Sequence, residues 1–409
     1  MNLDFCHQRN PFSAQGTRTL SSRMILSIKA HVLTQLRWIF LSILSTITSC
    51  DHRPLHRPES NLPIIDLTLS PSALSELKTT VAGKNEVPAR IRSGSHSWHG
   101  MISYAGKSSL YHRKRGYQAR GLSGKIAGLK NFRLSAQVSD ASMLRNVLTF
   151  FVYESLGIYV PKTEFVEIYV NQNFHGLYLL IEEVDQDFFK KRNVAVDSIY
   201  KARFGRLGAA DLNIRSIHEL HIGYNVVLGD ERMFDLKALI MGIRDFQSGG
   251  DQTILDWNET AKYHAASVFL KHWDGFKNNY ILYRSPTSPT FHWVPWDGDQ
   301  VLQDDLFKGD FTPENSLWGF NEISVTLKAH RSLCLTYLDQ LQTLIRQFDP
   351  STLRQWLRTQ AEKTRYSFLK DPVLNQLSQE NEIEKIIVNA DLWIKILQEN
   401  LEKTPCPGS

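Results

Sequence analysis

Cysteine is scarce in this chain: four in 409 residues, with no Cys-x-x-Cys pair and no histidine cluster at ligand spacing beside them. A structural zinc site and a disulfide-built scaffold are therefore excluded. Long apolar runs are also missing. The most pronounced one, residues 38–48, has eleven residues, about half of what a helix needs to cross a bilayer. No G-x-G-x-x-G loop occurs, and neither an internal repeat nor a low-complexity tract is found, so solenoid and collagen-like architectures drop out. Surplus charge is small and local. The formal net charge is +5, but residues 1–49 hold Arg9, Arg18, Arg23, Lys29 and Arg37 against Asp4 alone. The remainder carries 42 basic and 41 acidic groups. A nearly neutral body has no global field for gripping nucleic acid, which excludes that partner.

What is present begins with core material, 42% hydrophobic and 22% charged residues. That composition excludes a disordered chain, and the length suits one large bilobal unit or two domains. The apolar run at 38–48 has the length of a signal-peptide core, follows Arg37, and ends in Ile47-Thr48-Ser49-Cys50. Small residues before a cysteine resemble a bacterial lipobox, which implies a lipid on Cys50 and removal of residues 1–49. The basic stretch is long for a leader, and Met24 offers a second start. The expected protein is exported and lipid-anchored, facing the periplasm or the cell exterior. Residues 50–61, polar and proline-bearing, read as a tether. Cys334 and Cys406 remain, and the sequence leaves open whether they pair.

Hydrophobic periodicity organises the rest. Short strand-like runs at 62–69, 88–91, 101–104 and 132–134 precede a helical pattern over 140–156, which Ser139 or Asp140 can cap and Gly157 can end. Residues 165–170 and 174–181, rich in β-branched and aromatic side chains, read as a hairpin around Asn171-Gln172-Asn173. After Asp187 the character turns helical, with apolar spacing over 230–246 and 254–269, a short β pair at 280–284 and 291–296, and three helices between 332 and 401. The expected fold class is α+β, with a strand-rich half carrying one helix ahead of a mostly helical half.

The chemistry concentrates in residues 273–299. Asp274 stands where a helix stops, Asn279 follows five positions later, and a β pair leads back to Asp297 and Asp299. The hairpin predicts that both ends of this segment meet, with Asn279 beside them. Loop carboxylates on rigid supports suit function, and a carboxamide with two or three carboxylates suits Mg²⁺ or Mn²⁺ rather than zinc. The Asp274-to-Asn279 spacing equals that of the kinase catalytic loop, where an Asp orients the nucleophile, an Asn holds metal and a later Asp bridges metal to phosphates.

The ordered series Arg90-Ile91-Arg92-Ser93-Gly94, Lys107-Ser108-Ser109-Leu110, Asn131-Phe132-Arg133-Leu134 and 140–146 continues through Val170-Asn171, Gly176-Leu177-Tyr178 and Glu182-Glu183-Val184-Asp185. It ends with Asn278-Asn279-Tyr280 and Pro295-Trp296-Asp297-Gly298-Asp299. Over roughly residues 62–303 it resembles the CotH kinase family, the spore-coat-protein-H-like atypical kinases. The resemblance implies a protein-kinase-like bilobal fold, with an N-lobe over 62–187 and a helical C-lobe over 188–409. It implies ATP, a divalent metal, a catalytic Asp274, and metal ligands at Asn279, Asp297 and Asp299. Lys107 or Arg113 is the expected phosphate-gripping base, Glu183 a further nucleotide-side residue, and Glu154 the helix glutamate that would position the base. The acceptor is a hydroxyl compound, with protein serine or threonine foremost.

Two other readings stand beside it. Residues 291–296 followed by Asp297-Gly298-Asp299-Gln300-Val301 resemble the D-x-D-x-V signature of haloacid-dehalogenase-type phosphatases, with Asp297 as nucleophile. A lipoprotein scaffold that retains the fold without turnover is the other. Arg113-Lys114-Arg115 reads as a solvated face. Trp273, Trp293 and Trp296 read as core or pocket wall, and His96, His99, His264, His272 and His292 as structural.

Overall fold

A computed structural model of the protein describes residues 60–79, 81, 85–203, 210, 212, 217–249, 254–303 and 316–407. The leader, Cys50 and the tether up to residue 59 lie outside the described residues.

Seven strands close into a barrel: β1 (Ile64–Thr68), β2 (Val87–Ser93), β3 (His96–Ala105), β4 (Gly116–Arg120), β5 (Phe132–Ser135), β6 (Thr163–Val170) and β7 (Asn173–Glu182), in the order β1-β2-β3-β4-β5-β7-β6. Closure comes from β1 lying parallel to β6 while it pairs antiparallel with β2. Alternation supplies the inside: Val87, Ala89 and Ile91 of β2 are buried while Pro88 and Arg90 between them are exposed. The β6–β7 hairpin turns through Asn171 and Gln172, with φ of 47° and 67°, the left-handed pair that a two-residue turn requires. Asn173 already belongs to the strand.

Helix α1 (Pro71–Thr79) connects β1 to β2, and α2 (Arg145–Ser155) connects β5 to β6. Residues 140–144, expected inside α2, lie before it in turn and irregular backbone. The Asp140 carboxylate accepts from the Arg145 backbone at 2.7 Å and from its guanidinium at 2.8 Å, so the acid anchors the helix start from outside. At the other end Gly157, with φ of 79°, stops the helix as its position predicts.

The second half holds more strand than its helical character suggests. α3 (Gln186–Lys190), β8 (Ser198–Ala202), α4 (Ile217–Gly223) and β9 (Tyr224–Leu228) precede α5 (Phe234–Gln247) and α6 (Trp257–Phe269). β10 (Tyr280–Arg284) and β11 (Phe291–Pro295) follow and join β8 and β9 in a four-stranded sheet of order β11-β10-β8-β9. Its pairings are antiparallel, and β11 is its terminal strand. A D-x-D-x-V phosphatase motif closes the first strand of a parallel sheet, so this topology removes the phosphatase reading of Asp297. Helices α7 (Glu322–Ala329), α8 (Arg331–Gln347), α9 (Pro350–Lys370) and α10 (Gln379–Leu401) complete an α+β fold. Cys334 on α8 is disulfide-bonded to Cys406, with Cα atoms 5.8 Å apart. Among the described residues no helix is long and apolar enough to cross a membrane.

The described residues form two cores. One fills the barrel with Ile65, Ile91, Phe132 and Leu180. The other gathers α2, the four-stranded sheet and the helices around Leu148, Phe269, Trp293 and Leu341. Although α2 is inserted between barrel strands, its apolar face belongs to this second core, and that placement brings it against the chemistry.

Candidate functional site

The segment after α6 folds back on itself by backbone hydrogen bonding. A single 3₁₀ turn, Trp273–Phe276, carries Asp274, and the Asp274 carbonyl accepts from the backbone N–H groups of Lys277, Asn278 and Asn279 at 3.1, 2.8 and 2.8 Å. Asn279 is thereby fixed beside it. The Asn279 carboxamide donates to Asp274 Oδ2 at 3.2 Å and to the Asp297 carbonyl at 2.7 Å, and its oxygen accepts from Asn278 at 2.9 Å. Trp296 N–H closes the pair by donating to the Asn279 carbonyl at 3.1 Å. The structure thus brings together Asp274, Asn279 and Asp297, 23 positions apart at the extremes, through the hairpin that separates them.

Asp297 sits at φ 50°, in the left-handed region, with its side chain 38% exposed. This backbone is costly for a non-glycine residue and persists where surrounding contacts over-determine it. Those contacts come from α2. Asn146, fully buried, accepts from Gly298 N–H at 2.8 Å, Thr149 donates to the Gly298 carbonyl at 3.2 Å, and Arg145 Nε donates to the Val301 carbonyl at 2.9 Å. A Cβ on Gly298 would lie inside Thr149, so only glycine permits this approach. Tyr153 on the same helix bonds His272 Nδ1 at 3.2 Å, two residues before Asp274.

Electrostatics mark the spot. Burial, and then the Asp297 carboxylate, push Asp274 up to about 6. Burial followed by Asp297, Asp140 and Asp274 holds Asp299 well above the usual carboxylate range. Burial and Arg203 lower Lys107, opposed by Asp274 and Asp297, which puts this exposed lysine within electrostatic reach of the site. Arg113 is exposed, and among the described residues no ion pair or hydrogen bond of the site includes it. Glu154 points out to solvent on α2 and positions no base.

Several residues that sequence reasoning passed over lie at the centre. Arg133 on β5 approaches Asp297 Oδ2 at 4.0 Å and lies 5.0 Å from the Trp296 ring centre. Lys201 on β8 places its ammonium 3.4 Å from the same ring centre and 3.7 Å from Glu183. Burial lowers Lys201 to about 8. Burial opposes the charge of Glu183, but Lys201, Arg133 and Arg120, together with the Gln118 carboxamide, outweigh it and hold the carboxyl below its usual range. Arg133 Nε and Glu183 Oε2 are buried without a hydrogen-bond partner. Arg133 lay within a motif already singled out, and its place between Phe132 and Leu134 on an expected strand was the available signal. Lys201 offered none, because β8 itself was not read.

Among the described residues, the acids and histidines whose ligand atoms all lie within 4.8 Å of one another are Asp256, Glu259 and His292. They are committed to one another and to the backbone: Asp256 caps α6, and Glu259 accepts from His292 at 2.9 Å and from Trp293 N–H at 2.8 Å. Asp274, Asp297 and Asp299 form no group of that tightness.

The protein-family model described as CotH kinase protein matches residues 102–391. Inner spore coat protein H of Bacillus subtilis (strain 168) is 28% identical over 341 residues, covering 80% of this chain and 92% of that protein. Two solved structures overlap loosely. The proinflammatory kinase CtkA of Helicobacter pylori has 11% identity and a TM-score of 0.33, covering 70% of this chain and 94% of its own. The toxin–antitoxin complex of HipA, HipB and operator DNA from Shewanella oneidensis MR-1 has 10% identity and the same TM-score, with 72% and 64% covered. A TM-score of 0.33 fixes no correspondence of elements.

Proposed function

This chain belongs to the CotH kinase protein family, and on that premise we propose that it is an atypical kinase of two lobes, transferring the γ-phosphoryl group of ATP to a hydroxyl acceptor, a protein serine or threonine foremost. One observation carries the reading: a single carboxamide, Asn279, joins the Asp274 carboxylate to the backbone of Asp297. That is the Asp, Asn and second Asp of a phosphoryl-transfer loop in one place.

The donor set fits a hard divalent cation. Its side-chain ligands are oxygens only, and Asp274 and Asp299 are both raised, by burial first and then by the Asp297 carboxylate, a repulsion that a cation relieves. Asn279, Asp297 and Asp299 would hold Mg²⁺ or Mn²⁺, which when bound supplies positive charge to the phosphates. Asp274 orients the acceptor hydroxyl and takes its proton. Its pKa of about 6 places a base within reach of neutral pH. In protein kinases the phosphate-gripping base rides on the third strand, ahead of a helix. Here Arg133 on β5, the strand before α2, stands 4.0 Å from Asp297 and takes this role, with Lys107 beside it. Arginine can hold phosphate through two parallel bonds. The missing helix glutamate is no obstacle, since α2 grips the Asp297 loop directly through Asn146 and Thr149.

We place the protein outside the cytoplasm, tethered by a lipid on Cys50. The lipobox-like leader and the Cys334–Cys406 disulfide support an oxidising compartment, and a coat protein among its relatives supports a surface role.

Thermal-shift titration with ATP plus Mg²⁺ or Mn²⁺ tests the reading. Asp297→Ala is expected to lose the metal-dependent shift, while Asp274→Ala keeps the shift and transfers no phosphate. Loss of folding in both variants would make these residues structural, and ATP binding without transfer, indifferent to Asp274→Asn, would make the protein a scaffold.

A further inference from the structure

Lys201 of β8 lies beside Glu183, the residue that follows β7 of the barrel, and is held by groups that leave its hydrogen-bonding capacity largely unspent. Its ion pair with Glu183 spans 3.7 Å, beyond hydrogen-bond reach. Its other contact is the face of Trp296, where an ammonium gains attraction without a directed acceptor. Trp296 immediately precedes Asp297, so the lysine is fixed one residue from the metal-side carboxylate, and Asp297 acts on it electrostatically.

Two buried polar atoms beside it lack partners, Glu183 Oε2, an acceptor, and Arg133 Nε, a donor. Buried groups in folded proteins are almost always paired, and an exception calls for a ligand or a strain that explains it. A structural salt bridge would have closed to hydrogen-bond distance, as Lys114–Asp371 at 2.6 Å and Lys191–Glu182 at 3.0 Å do here. Lys201 and Glu183 face one another without closing.

We propose that Lys201 is a phosphate ligand of the nucleotide site, supplied by the second sheet and positioned by Trp296 and Glu183. The assignment rests on the kinase reading and deepens it. With Arg133 from the barrel and Lys201 from the second sheet, a polyphosphate is gripped from both sides of the junction. Adenosine alone, which lacks the phosphates, gains nothing from the lysine. Selectivity for a triphosphate over its nucleoside is therefore the property that Lys201 confers.

The experiment compares ATP with adenosine, each with Mg²⁺, by calorimetry on the full chain. Lys201→Met is expected to weaken ATP about tenfold, the worth of one charge-assisted bond, and to leave adenosine within about twofold. Lys201→Arg should recover most of the ATP affinity. Equal losses for ATP and adenosine would make the lysine a support of the fold, and unchanged ATP affinity would remove it from the site. The wild-type chain gives a second test that needs no variant: acylation of Lys201 by an amine reagent, followed by mass spectrometry. ATP should slow that labelling and adenosine should not, and equal labelling under both overturns the assignment. A wild-type chain that binds neither ligand sinks the kinase reading itself, whereas binding that ignores Lys201 sinks this inference alone.

Discussion

Lys114 shows how far a side chain's surroundings can depart from its neighbours in sequence. It lies in Arg113-Lys114-Arg115, a run that reads as a solvated face, yet its side chain is 3% exposed. The ammonium donates to Asp371 at 2.6 Å and to the Leu177 carbonyl at 2.5 Å. Arg115 is also drawn inward, bonding the Leu110 carbonyl at 2.7 Å, and only Arg113 stays in solvent. Asp371 at the end of α9 accepts further from the backbone of Leu177, Val373 and Leu374. Gly176 must be glycine, because a Cβ there would enter the Asp371 carboxylate. Lys114→Met should therefore cost about 3 kcal/mol, at the lower end for breaking a buried pair, because backbone donors still hold the carboxylate. The urea midpoint measures this, and Lys114→Met combined with Asp371→Asn should recover part of the loss. A change below about 0.5 kcal/mol in the single variant would mean that the pair stabilises nothing. No spacing rule predicts this burial, since the partner lies 257 residues away.

Elements were legible in proportion to how local their determinants are. The β6–β7 hairpin was readable because two stretches rich in β-branched and aromatic residues and the polar Asn171-Gln172-Asn173 between them lie within twenty residues, and the tail helices because their apolar period repeats over several turns. β4 was hidden by the basic run ahead of it. β8 and β9 were hidden because β8 acquires one of its two partners, β10, some eighty residues later, and a five-residue strand carries too little pattern to declare itself alone. The same rule governs the site. Asp274, Asn279 and Asp297 could be seen to converge because one hairpin joins them, while Arg133 and Lys201 arrive from elements whose pairing is non-local. The role of α2 was misjudged for a related reason: a kinase-like glutamate was sought on it, whereas Asn146 and Thr149 grip the Gly298 backbone. Asn146→Ala is the test at this scale. It should leave the fold standing and weaken metal-dependent ATP binding by about tenfold, because Asp297 loses the support for its left-handed backbone. Metal-independent adenosine binding should be unchanged. A uniform loss of both would make Asn146 a core residue rather than a positioning one.

For the whole molecule, the question is how a helical tail far along the chain stays bound to a barrel formed at its start. α9 reaches the barrel twice, through Asp371 on Lys114 and Leu177 and through Ser367, which donates to the buried Glu167 of β6 at 2.7 Å. α10 carries Trp393, whose indole donates to the Val268 carbonyl of α6 at 2.8 Å, the helix that leads to Asp274. The tail is therefore a brace behind the site, and its end is fastened by Cys334–Cys406 across 72 residues. A loop of that length restricts the unfolded chain strongly, so opening the disulfide should lower stability by about 2–4 kcal/mol. Urea unfolding with and without a thiol reductant reads this directly, and Cys406→Ser should match the reduced wild type and show no further response to reductant. The same measurement bears on where the chain matures. If the protein is exported, material from an oxidising compartment should carry no free thiol at these positions and show the higher midpoint, while material from a reducing cytosol should gain that midpoint only after oxidation. A bond that is absent from exported protein, or whose removal leaves the midpoint unmoved, would detach the disulfide from both the brace and the export reading.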